Sequence, residues 1–154
     1  MSFNIYRLYI KFCFKGCDAP EEPEASSKST VASDMIVGSI KWAELFDFPP
    51  WPAIIDDNPD TKTSVWITGN GEEKVHVVFF NALMGCFTRC WVNKCDLKPF
   101  IGTENMSKFK HLQLETQVKE YLKGALKLAR EANKLSLNER RRFHCLLQGK
   151  WFAM

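Results

Sequence analysis

Short runs of apolar residues separated by turn signals fill one part of the chain, and a helical period fills the next. Residues 36–45, 51–55, 63–68, 74–80 and 86–92 are rich in β-branched and aromatic side chains, which predicts five short strands. The cluster Asp56-Asp57-Asn58-Pro59-Asp60 ends the second run, and Gly69-Asn70-Gly71 joins the third to the fourth as a hairpin turn. Leu97-Lys98-Pro99-Phe100 closes the module. Short strands at this spacing predict a small curled β-barrel. Beyond residue 107 the period changes. Leu114, Val118, Tyr121, Ala125, Leu128 and Ala132 recur at three- and four-residue steps, one face of an amphipathic helix, while Lys119, Lys123, Lys127, Arg130 and Lys134 lie off it. Ser136-Leu137-Asn138-Glu139 has the spacing of a capping box and predicts a second helix with Phe143, Leu146 and Leu147 as its apolar contacts and Gly149 as its stop. The expected fold class is mainly β with α: a five-stranded barrel followed by a C-terminal helical bundle.

Residues 18–34 break both periods. Their Glu, Ser, Pro and Ala content, with Asp18-Ala19-Pro20-Glu21-Glu22-Pro23-Glu24 at its head, cannot bury apolar area and is expected to be a disordered acidic linker. The expected division is therefore an N-terminal segment and linker at 1–34, one domain at 35–149 with its barrel at 35–100 and its helices at 107–149, and a tail at 150–154. Charge follows the same division. The net +3 splits into +3 over residues 1–17, −4 over 18–34, −2 over 35–100 and +6 over 101–154. A basic C-terminal part suits a polyanionic neighbour such as nucleic acid, or a plainly solvated face.

Several function classes are disfavoured. No apolar run approaches the roughly 18 residues of a membrane span, and the apolar stretch from Phe3 to Phe14 is interrupted by Arg7 and Lys11 with no small-residue cleavage site after it. The six cysteines, Cys13, Cys17, Cys86, Cys90, Cys95 and Cys145, form no Cys-x-x-Cys pair, so reduced thiols in an intracellular compartment are expected. Cys86, Cys90 and Cys95 with His76 or His144 could be imagined as metal ligands, but their spacing along a strand argues against it, and no cofactor or metal is expected. There is no Gly-rich phosphate loop and no nucleophile–base set, so neither an enzyme nor a small-molecule substrate is expected.

The chemistry that stands out is Phe48-Pro49-Pro50-Trp51-Pro52. Three proline rings fix most of the local backbone, so Phe48 and Trp51 sit on a rigid arch. Rigid aromatics need packing or a guest, and a cation is a natural guest for their π-faces. The arch and its flanks resemble the PWWP domain of the Royal superfamily, with Pro50 where that family often has Trp. Val37-Gly38-Ser39-Ile40-Lys41-Trp42-Ala43 resembles the family's first strand, Val75-His76-Val77-Val78-Phe79-Phe80-Asn81 its third, and Arg89-Cys90-Trp91-Val92 with Leu97-Lys98-Pro99-Phe100 its end. The resemblance covers residues 35–149. Upstream, Cys17-Asp18-Ala19-Pro20-Glu21-Glu22 resembles the end of a CW-type zinc finger whose earlier ligands are missing, as in a truncated member of the CW-type zinc finger and PWWP domain proteins. Too few ligands remain for zinc.

The resemblance implies a nuclear, non-catalytic chromatin reader. Its site would be an aromatic cage of Phe48, Trp51 and Phe79 for trimethyl-lysine of the histone H3 tail, at position thirty-six, with auxiliary contacts to nucleosomal DNA. Phe79 and Phe80 must face opposite sides of a strand, and the family pattern puts Phe79 in the cage and Phe80 in the core. The plainer alternative is that all three rings are core. The basic residue that commonly ends the family's first strand is Glu44 here, and Leu45-Phe46-Asp47 carries no base, so phosphate contacts are expected from Lys41, Lys94, Lys98, Lys108 and Lys110. The carboxylate that caps some family cages is absent at Asn81 and Ala82. Arg140-Arg141-Arg142 is a solvated helix face or part of an import signal. The competing function is a nucleic-acid or protein-docking module without methyl-lysine recognition.

Overall fold

The structure, a computed structural model, describes residues 35–45, 49–80 and 89–140. Its centre is β2 (Trp51–Ile55), buried at every position. It is covered on both sides because it lies mid-sheet between β1 (Ile40–Ala43) and β4 (Glu73–Phe79) and carries a helix on one face. Antiparallel pairing matches Ala43 to Trp51, Lys41 to Ala53 and Ala53 to Phe79. Residues opposite one another share a sheet face and neighbours along a strand alternate. Trp51, Ala53, Ile55, Val75, Val77 and Phe79 therefore share one face. Trp42, Pro52, Ile54, His76, Val78 and Phe80 share the other.

Six strands are present where five and a closing segment were expected. β3 (Val65–Ile67) continues the β2 edge along β4, β5 (Arg89–Asn93) pairs with the other edge of β4, and β6 (Leu97–Pro99) pairs with β1. Only the single 3-10 turn Lys94–Asp96 links β5 at one border of the sheet to β6 at the other. So short a link forces the sheet to curl, and Glu44 N–H donates to the Asp96 carbonyl across the gap at 2.8 Å. No ladder joins β5 to β6, so the expected closed barrel is an open, curled sheet among the described residues.

The first strand is shorter than its β-forming sequence suggests. Gly38 takes φ +93° and Ser39 N–H turns back to the Ile36 carbonyl, leaving Ile36 exposed. Only glycine enters that region cheaply. The other turn signals hold: Asn58 Oδ1 accepts from the amides of Asp60 and Thr61, and Gly71, at φ +81°, closes the hairpin between β3 and β4.

The helical period yields one described helix, α1 (Thr116–Asn133), packed on β2. Its buried face is Val118, Leu122, Ala125, Leu126, Ala129 and Ala132, with Tyr121 and Leu128 at the margin. The stripe is rotated from the expected one: Leu122, Leu126 and Ala129 join Val118, Ala125 and Ala132 in the contact, and Tyr121 and Leu128 move to its margin. The capping box forms: Glu139 Oε2 accepts from both the amide and the hydroxyl of Ser136, and residues 137–140 open a second helix. Phe143, Leu146, Leu147 and Gly149 lie outside the described residues, as do the N-terminal segment and linker, so the expected helical bundle reduces here to α1 and that first turn.

Candidate functional site

Trp51 stands where the proline arch enters β2. Its indole N–H donates to the Phe80 carbonyl at 2.7 Å, and the Phe80 amide donates back to the Pro52 carbonyl at 3.1 Å. These bonds pin the start of β2 to the end of β4 and fix the indole plane. Register puts Phe79 on the same sheet face, one diagonal step from Trp51. Phe80 points to the opposite face and is buried in the core. Two of the three expected cage rings are thus brought to one end of one face. Both are enclosed, with Trp51 4% and Phe79 1% exposed. The third, Phe48, lies outside the described residues, as do Asn81 and Ala82.

Support for this corner comes from β1. Trp42, fully buried, packs between Phe100 and Phe109 at centroid distances of 5.5 and 5.4 Å. Its indole N–H donates to Glu104 Oε1 at 3.1 Å. The same carboxylate accepts from the amides of Ile101 and Gly102, each at 2.7 Å. Burial by itself would raise the Glu104 pKa, but these donors outweigh it and hold the group below its ordinary 4.5. Sequence reading missed Glu104 altogether, since a lone glutamate in an irregular segment carries no periodic signal.

His76 has partners that its sequence context did not show. It is 1% exposed; its Nδ1–H donates to the Asp56 carbonyl at 2.8 Å, and its ring meets Trp91 edge-on at 5.3 Å. Burial, with help from the Arg89 charge, holds the imidazole below its ordinary 6.5 against the opposing pull of that hydrogen bond and of Asp56 and Asp57. Cys90 pairs opposite Val77 and so faces away from His76. Among the described residues no three His, Cys, Asp or Glu side chains gather to hold a metal ion. Cys13, Cys17, Cys86, Cys145 and His144 lie outside them.

The lysines expected at phosphates are dispersed. Lys41 is half-buried on β1. Lys94 is paired with Glu73 at 3.1 Å. Lys98 donates to the Cys95 carbonyl at 3.0 Å, and Lys110 is exposed. The Lys108 side chain is outside the described set, as are Arg141 and Arg142. Arg140 is half-buried, and its guanidinium donates to the carbonyls of Gly38, Asn133 and Leu135.

Comparison with known proteins agrees with this architecture. Human zinc finger CW-type PWWP domain protein 1 is 32% identical over 139 residues, covering 82% of this chain and 20% of the relative. The mouse protein of the same name is 30% identical over 133 residues with the same coverage. Human DNA mismatch repair protein Msh6 is 33% identical over 72 residues, 47% of this chain and 5% of that protein. The chain thus spans about a fifth of the length of the CW-type relatives it matches. The family model of the PWWP domain matches residues 38–134, which take in every described strand and α1, and the chain belongs to the PWWP domain family.

Proposed function

We propose that this chain is a chromatin reader that binds trimethylated lysine of the histone H3 tail, at position thirty-six, through Phe48, Trp51 and Phe79, and touches nucleosomal DNA beside it in the nucleus. PWWP domains are reader modules rather than catalysts, and family membership supports the general assignment. The observation that carries the finer reading is the placement of Trp51: rigidly held at the arch, on one sheet face with Phe79. A quaternary ammonium has no donors left, so it is bound by π-faces and apolar walls, each worth about 0.5–2 kcal/mol.

Enclosure of Trp51 and Phe79 adds a step. The guest binds only molecules in which the two rings are accessible, and the apparent affinity falls by the fraction of such molecules. A weak peptide site then depends on DNA to hold the complex. Lys41, Lys98, Lys108 and Lys110 supply that contact by displacing counterions, with Lys94 joining when it leaves Glu73.

The same enclosure favours one alternative: a nucleic-acid or protein-docking module with a closed cage. Isothermal titration of trimethylated and unmodified H3 peptides into the wild type, Trp51→Ala and Phe48→Ala separates the two, with circular dichroism confirming that each variant folds. A preference for the methylated peptide that both variants lose is expected. Equal binding by all proteins, with steep salt dependence on DNA, replaces the reader by the docking module.

A further inference from the structure

One terminal strand of the sheet is left unguarded. Among the described residues β3 pairs only with β4, with Val65 opposite Val75, Trp66 opposite Lys74 and Ile67 opposite Glu73. The flanking bonds run from the His76 amide to the Ser64 carbonyl at 2.8 Å and from the Thr68 amide to the Glu72 carbonyl at 2.9 Å. Bonding toward β4 therefore falls on Ser64, Trp66 and Thr68, and the amides and carbonyls of Val65 and Ile67 point the other way. These four groups meet no partner among the described residues. The Ile67 side chain is 50% exposed. From Thr63 to Gly69 the edge has no charge and no proline, whereas β6, at the opposite border, carries the exposed Lys98 and Pro99. An edge without such guards is a template for another strand.

We propose that β3 pairs with β3 of a second copy of this chain, antiparallel about a two-fold axis at Trp66. The symmetry of the edge selects this occupant. Val65 then lies opposite Ile67 of the second copy, each pair exchanges both main-chain bonds, and all four free groups are satisfied. A register shifted by two residues engages Thr63, whose carbonyl already accepts from the Asn58 amide at 2.9 Å, or Gly69 in the hairpin turn. The β-branched Val65–Ile67 pairs cover the exposed isoleucine, and the two Trp66 side chains meet across the axis on the other face. The two-fold also carries the exposed Lys62 of one copy toward the exposed Glu72 of the other, so the ends are opposite in charge. So small an interface makes a transient dimer. On the reading above the pair offers two cages at once, but the pairing itself requires neither methyl-lysine nor DNA.

Sedimentation velocity of the full chain, from micromolar to millimolar concentration and without histone or DNA, tests this. The average mass should rise from the 17.8 kDa monomer toward twice that value. Ile67→Lys places a charge on the edge at an exposed position; it should keep the wild-type circular dichroism and weaken association at least tenfold. The same variant should bind trimethylated peptide like the wild type, so failure of the dimer and failure of the reader assignment are told apart. The axis is located by oxidising Trp66→Cys. Its two Cα atoms, about 4.5–5.5 Å apart, suit a disulfide, and mass spectrometry should find position 66 of one copy linked to position 66 of the other. Thr63→Cys, remote from its own symmetry mate, should give no such link. A mass that stays at the monomer, an Ile67→Lys protein that associates like the wild type, or no link at position 66 overturns the proposal; the first result would leave the edge to an extended segment of another protein.

Discussion

Replacing Glu104 with alanine should unfold the corner that holds β1 in place. Three donors converge on this carboxylate: the Trp42 indole at 3.1 Å and the Ile101 and Gly102 amides at 2.7 Å. Ile101 is 73% exposed, so water can replace the carboxylate on that side, and each amide loses only the net worth of a hydrogen bond, about 1 kcal/mol. Trp42 is 0% exposed, and its N–H, left without an acceptor, costs about 1–3 kcal/mol. The total is about 4 kcal/mol, or about 16 °C in melting temperature for a folded module near a hundred residues. Urea unfolding followed by tryptophan fluorescence measures it. Acidity adds a sign. Glu104 is held below 4.5 in the fold, so its stabilisation is complete at pH above that value and is lost as pH falls through the lower, folded one. The gap between wild type and Glu104→Ala should therefore narrow below pH 4.5. A gap under 1 kcal/mol at pH 7, or one as wide at pH 3 as at pH 7, refutes the reasoning.

Three further outcomes are expected. Arg140→Ala removes three carbonyl partners at 2.9–3.2 Å that tie the end of α1 to the Gly38 turn, and should cost about 2–3 kcal/mol in urea unfolding; Arg140→Lys cannot restore the fork and should recover less than half. Gly102→Ala places a methyl group against the Asn133 carboxamide at φ +92°, and should destabilise by about 1–3 kcal/mol in thermal melts, more than alanine at Gly69, where nothing lies within 4 Å. His76 is held below 6.5 by burial, so the unfolded chain takes up its proton first; stability should be intact above pH 6.5 and decline below it, a slope that His76→Asn should flatten in urea titrations between pH 5 and 7.5.

Strand positions were legible because each run carried β-branched residues between strong turns, and β2, predicted at 51–55, begins and ends there in the structure. Sheet order was not legible. That β6 pairs with β1 depends on which residues meet across more than fifty positions of chain, and a periodic pattern holds no record of a partner. The helix was found by its period yet turned by part of a step, because two apolar stripes, one through Tyr121 and Leu128 and one through Leu122 and Leu126, share Val118, Ala125 and Ala132, and only the packing on β2 decides between them. Arg140 shows a related limit: nothing in a run of three arginines tells that the carbonyls at the end of α1 and at Gly38 come within reach of the first of them.

The candidate site divides along the same line. That Phe79 and Phe80 oppose each other follows from strand geometry alone, and the register then decides which of them joins Trp51. How far a ring is exposed depends on everything packed over it, and no local motif encodes that. Trp51 donates to a backbone carbonyl and is 4% exposed, so its geometry is set before any ligand arrives. Preorganisation of that kind lowers the cost of ordering the site, while enclosure raises the cost of reaching it. The two can be separated experimentally. Trp51→Phe keeps a π-face but removes the bond to Phe80, leaving that buried carbonyl unpaired at about 1–3 kcal/mol. If indole orientation is what the fold invests in, methyl-peptide affinity should fall in this variant even where an aromatic ring is retained. If access limits binding, the looser corner should open more often and affinity should rise.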